Sequence, residues 1–138
     1  MTRLLPALLA GLLITSAAPA LAFTTAAEVK PILNATKGNW VAVREYDGND
    51  LVYFTHLEAW RCGLDGVKYG INSDTADQDR ELEQCYEGEP APNAAKADDR
   101  LPFITLPLGS VETITIELLY DDGTTDSVTF ERKAIMTP

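Results

Sequence analysis

The segment from Val111 to Ile135, VETITIELLYDDGTTDSVTFERKAI, constrains the fold more than any other part of the chain. Apolar side chains at Ile114, Ile116, Leu118 and Tyr120 alternate with Thr113, Thr115 and Glu117, the two-residue period of a strand with one buried face. The returning half carries Val128 and Phe130 on even positions, with Ser127, Thr129, Glu131 and Lys133 on odd ones. A two-residue Asp122-Gly123 turn would place Thr129 opposite Ile116, because a one-residue slip sends every side chain to the other face. A three-residue loop, Asp121-Asp122-Gly123, instead pairs Tyr120 with Thr124, Ile116 with Val128, Ile114 with Phe130 and Glu112 with Arg132. Its third residue needs a positive φ, and glycine stands there. The segment predicts two strands joined through a G1-bulge turn.

Upstream, the same punctuation recurs. Thr25 and Glu28 have the form of a capping box, with Val29, Ile32 and Leu33 on one face before Lys37-Gly38. They predict a short helix that begins at Thr25 or, because of Pro31, near Lys30. Strand-forming residues from Trp40 to Tyr46 and from Leu51 to Leu57 flank Asp47-Gly48-Asn49-Asp50, whose Gly-Asn centre fits a II′ hairpin turn. Val41, Val43, Val52 and Phe54 then share one face, and Trp40, Ala42, Tyr46, Leu51 and Tyr53 the other. Two apolar faces predict a central pair covered on both sides. Ala59 to Cys62 extends that strand, and Gly63-Leu64-Asp65-Gly66 turns into a strand from Val67 to Ile71, where Gly70 marks a bulge or an edge. Residues 72–100 read as mobile acidic loops, and Pro102 to Leu106 as an edge strand bounded by prolines. The fold class is all-β, mainly antiparallel, a sandwich or small barrel of six or seven strands with one short N-terminal helix.

The N-terminus bears on compartment. Arg3 precedes the apolar run Leu4 to Ile14, and Ala20-Leu21-Ala22 offers small residues at the cleavage subsites, so residues 1–22 read as a signal peptide and 23–138 as one domain. The run is too short to span a bilayer, which takes about 20 apolar residues. A periplasmic or secreted location follows. Cys62 and Cys85, the only cysteines, are expected to bond there. Closing a loop of about 24 residues stabilises by roughly 3 kcal/mol in the chain-entropy model.

The formal net charge is −10, with 21 acidic against 11 basic residues, and removing Arg3 makes the mature chain one unit more negative. Such a surface repels nucleic acid and anionic membrane, and leaves a cationic protein as the partner its charge suits. Catalytic, cofactor-binding and metal-ligating constellations are not legible. His56, the only histidine, falls on an apolar strand and reads as a core or rim residue. Asp74, Asp77, Asp79, Glu81 and Glu83 invite a calcium site but lack the EF-hand alternation and its glycine. Of the aromatic set Trp40, Tyr46, Tyr53, Phe54, Trp60 and Tyr69, most is strand core, with some available for a binding face.

The stretch GNWVAVREYDGNDLVYFTHLEAWRCGL, with KADDRLPFITLPLGSVETITIELLYDDGTTDSVTFER later, resembles small exported proteins of Gram-negative bacteria that carry no assigned activity. That resemblance implies a periplasmic or secreted location and no catalytic residues. The expected function is a non-enzymatic binding or structural β-domain that contacts a cationic protein, by the charge logic of small periplasmic lysozyme inhibitors, whose motifs are absent. The alternative is a carboxylate- or metal-dependent hydrolase that joins His56 to acidic residues.

Overall fold

A computed structural model describes residues 2–3, 10–14 and 22–138. Most of the apolar run of the signal-peptide reading, and its Ala20-Leu21 subsites, lie outside the described residues. No helix among the described residues is long and apolar enough to cross a membrane.

The C-terminal hairpin forms in the register that the alternation demands. β6 (Thr113–Tyr120) and β7 (Thr125–Glu131) pair Ile114 with Phe130 and Ile116 with Val128. The Tyr120 N–H donates to the Thr124 carbonyl at 2.8 Å, the Gly123 N–H returns to Tyr120 at 3.0 Å, and Gly123 has φ 84°. Beyond Glu131 the chain departs from expectation, because Arg132–Ile135 coil into a short helix, α3, that turns Ile135 into the core. Continued as a strand, the odd-numbered Ile135 would have faced water with Lys133.

Among the described residues, seven strands make two separate antiparallel sheets in a sandwich-like arrangement. β1 (Ala42–Tyr46), β2 (Asn49–Tyr53) and β5 (Phe103–Pro107) form one, in the order β1-β2-β5. β3 (Leu64–Ile71) and β4 (Gln78–Arg80) join the hairpin in the other, in the order β4-β3-β6-β7. Val43, Val52 and Phe54 from the first sheet share one core with Val67, Ile114, Ile116, Leu118 and Tyr120 from the second. Helix α1 (Ala26–Ala35) adds Ala26, Val29 and Leu33 to that core. The helix starts directly after Thr25, whose hydroxyl accepts from the Glu28 N–H, and it runs through Pro31. Glu28 closes the cap by accepting from the Phe23 N–H rather than from that of Thr25.

The first hairpin corrects three expectations. Its turn is centred on Asp47-Gly48, with φ 50° and 74°, a type I′ turn rather than a II′ turn on Gly48-Asn49. Two positive φ angles suit Asp-Gly, since type I′ needs both central residues left-handed and II′ only the first. Val43 therefore pairs with Val52 instead of Phe54, a two-residue change that keeps both on the core face, whereas Trp40, expected on the other face with Tyr46 and Tyr53, precedes the strand and is buried in that same core. Second, β1 is an edge strand and not half of a central pair, and the strand flanked on both sides is β2. Third, the second strand ends at Tyr53, so neither His56 nor Ala59 to Cys62 continues it. Thr55–Ala59 is a helical turn, α2, and Arg61–Gly63 a 3₁₀ turn. Helical spacing brings Phe54 and Leu57 onto one face, and both are fully buried. On a strand Leu57 would have pointed away from the core that holds Phe54.

Gly70 is neither at an edge nor at a bulge. It lies within β3, which is flanked by β4 and β6, and the register shift falls between Leu64 and Gly66. A Cβ at Gly70 would sit 2.0 Å from the Thr75 carbonyl oxygen, so the glycine serves close approach of the 73–76 loop. The 72–100 segment contributes β4 and is tied to the body by Arg61, Glu83 and the disulfide, as described below. β5 is the proline-bounded edge strand that the sequence indicated.

Candidate functional site

Two concavities hold the residues of chemical interest. The first is an acidic groove over the disulfide, with a volume of about 550 Å³. Cys62 and Cys85 are bonded, with their Cα atoms 5.0 Å apart, and both line its floor. Asp65 enters from β3, Asp79 from β4, Glu81 and Glu87 from the chain beyond it, and Asp121 from the turn between β6 and β7. Asp121 also caps α1, accepting from the Ala26 N–H at 2.7 Å. Asp65, Asp79, Glu81 and Glu87 are exposed, and among the described residues none of them makes an ion pair. The fold thus gathers the disulfide, the hairpin turn and part of the acidic run in one place. Asp74 and Asp77 lie outside it, and Asp122 turns aside to Lys30 and Thr124, which together hold its carboxyl down at about 2.

Glu83 belongs to the acidic run in sequence but not in role. Its carboxylate accepts from the Tyr86 hydroxyl and from the Lys96 and Ala97 N–H groups, and these bonds lower its pKa to about 2. The groove rests on Arg61, which is only 3 % exposed. Its guanidinium makes six hydrogen bonds of 2.8 to 3.0 Å to the carbonyls of Glu58, Glu83, Gln84, Asn93 and Ala94. A buried cation without a carboxylate ion pair is stabilised when carbonyl dipoles converge on it. Glu58 beside it pairs with Arg80 at 3.3 Å and Arg100 at 3.1 Å. No group of three or more His, Cys, Asp or Glu side chains among the described residues is arranged to hold a metal ion. The groove's carboxylates come from separate elements and do not converge on one point.

The second concavity, about 800 Å³, lies against the outer face of β1 and β2 and contains His56. Thr36 fixes this imidazole. The Thr36 hydroxyl gives its one proton to the Ile32 carbonyl at 2.7 Å and therefore accepts from His56 Nε2–H at 2.8 Å. Burial lowers the His56 pKa. Among the described residues no carboxylate forms an ion pair with it.

Comparison with known proteins returns nothing: no family model matches the chain, and neither a curated protein nor a solved structure does. The site stands on its own geometry. Of the aromatic set, Trp40 and Phe54 are core, while Tyr46 is exposed and Tyr53 half-buried on the outer sheet face, where Tyr53 packs on Phe103 with ring centroids 5.2 Å apart. Sequence reasoning missed Arg61 and the buried pair of Asp50 with Arg132. Arg61 adjoins Cys62, and that adjacency was the one available signal.

Proposed function

We propose that this protein is a non-enzymatic periplasmic or secreted domain that binds a cationic protein partner through the acidic groove. The observation that carries this reading is the arrangement of Asp65, Asp79, Glu81, Glu87 and Asp121, drawn from separate elements around one concavity. The two arginines that also line the groove are committed elsewhere, Arg61 to backbone carbonyls and Arg80 to Glu58, so the exposed carboxylates keep their charge available to a partner. The bonded cysteines and the signal-like N-terminus support an oxidising, exported setting.

A pull-down from periplasmic extract tests it with two charge-matched variants. Glu81→Lys with Glu87→Lys alters the groove, and Asp74→Lys with Asp77→Lys alters the acidic run outside it. A basic partner recovered at low salt should be lost from the groove variant and kept by the control. It should also weaken steeply as the Debye length falls from about 30 Å at 0.01 M to about 8 Å at 0.15 M. A partner indifferent to the groove variant, or no partner at either salt, leaves the charge as a solubility device and defeats the reading.

A further inference from the structure

The His56 concavity is lined by different side chains from the acidic groove. Its floor is the outer face of β1 and β2, and its walls are Gly38 and Asn39, helix α2, and the segment from Ala134 to Pro138. In a chain with 21 acidic residues, no Asp or Glu side chain among the described residues lines it, and the one carboxylate at its rim is that of the last residue, Pro138. Arg44 does line it. Arg44 makes no ion pair and no hydrogen bond among the described residues, and its guanidinium carbon lies 4.7 Å from the centre of the exposed Tyr46 ring. Among the described residues the Tyr53 hydroxyl, the Asn39 amide and the Thr55 hydroxyl have no hydrogen-bond partner either, whereas Ala42, Ala59 and Met136 supply apolar wall. The charged groups nearest in sequence are turned elsewhere. Glu58 pairs with Arg80 and Arg100, and Lys37 with Asp126.

We infer that this concavity binds a small ligand with an apolar body and a carboxylate or similar anionic group, the anion held by Arg44 and the body lying along Tyr53 and the apolar wall. The volume is within the roughly 300–1,000 Å³ of small-molecule sites, and a few convergent polar groups on an apolar wall is their usual make-up. Arg44 gives the preference for an anion, since a guanidinium matches a carboxylate with paired donors. His56 stands beside the site as a neutral donor already committed to Thr36. The site is independent of the acidic groove.

His56 is the only histidine, so its ring C–H resonance reports on this concavity without assignment work. The test is a titration of the full chain with benzoate, benzyl alcohol or benzylammonium, followed by proton NMR. Benzoate should shift the His56 resonance saturably and raise the His56 pKa, because a bound anion favours the imidazolium. Benzyl alcohol should bind at least about 5-fold more weakly, and benzylammonium more weakly still, because Arg44 faces it. Arg44→Gln, at an exposed position without an ion pair, should abolish the advantage of benzoate over benzyl alcohol and leave the fold intact. Equal binding of all three probes, benzoate binding unchanged by Arg44→Gln, or no perturbation of His56 by any probe would each overturn the inference.

Discussion

Asp50 was legible only as a turn residue, yet it has no exposed surface and accepts from the Gly109 and Val111 N–H groups and twice from the Arg132 guanidinium. Its partner lies 82 residues away, and no local pattern reveals a pairing of that range. Arg132 was expected only opposite Glu112, and that backbone pairing is present, with the Arg132 N–H on the Glu112 carbonyl at 2.9 Å. Breaking one side of a buried pair costs about 3–5 kcal/mol. Asp50→Asn should lose about that much in urea unfolding, with residual support to Arg132 from Glu45. The hydrogen bonds from Arg132 hold the Asp50 carboxyl far below the carboxylate range, and Glu83 titrates at about 2. Their contribution is complete above the unfolded carboxylate pKa of about 4 and fades as pH falls toward the folded values. His56 adds an earlier step, because burial lowers its pKa and its contribution fades as pH falls through about 6.5. Unfolding midpoints measured from pH 8 to pH 2 should show a slight decline near pH 6 and a steep one below pH 4. The steep part should be shallower in Asp50→Asn.

At the scale of elements, the β6-β7 hairpin was readable because its alternation and its turn residues agree. The α2 turn was not, since Phe54-Thr55-His56-Leu57 is strand-forming by composition and becomes helical only to bury Leu57 and Phe54 together. Gly70 was recognised as special, but its reason is tertiary. The Thr75 carbonyl crosses above it, and Ser73 in the same loop accepts from the Thr115 hydroxyl at 2.6 Å. Gly70→Ala should therefore cost about 1–3 kcal/mol and raise hydrogen exchange across residues 73–76. Gly66→Ala on the same strand meets nothing within 4 Å, and should stay within about 0.5 kcal/mol of the parent. Similar losses in both variants would show that strand glycine as such, rather than close approach, sets the effect.

At the scale of the whole molecule, the two sheets share a core but, among the described residues, no hydrogen-bonded ladder, and cross-links of long sequence range hold the parts together. Asp50 and Arg132 are one, and Cys62 with Cys85 pins the acidic segment beside β3. Replacing both cysteines by alanine should lower stability by roughly 3 kcal/mol, read from urea midpoints with and without reductant. The acidic segment should nevertheless stay docked, because the carbonyls of Glu83, Gln84, Asn93 and Ala94 still converge on Arg61. That convergence also bears on how fast the thiols find each other. Arg61 adjoins Cys62 and grips the two carbonyls just before Cys85, so in a reduced chain it raises the effective concentration of one thiol at the other. Arg61→Lys, which keeps the charge and loses the fork, should slow the disappearance of free thiols during refolding from the reduced state several-fold. Equal rates would assign the guanidinium to stability alone. Slower thiol loss in Arg61→Lys would make the side chain that anchors the acidic groove in the finished protein a template for its own covalent fastening.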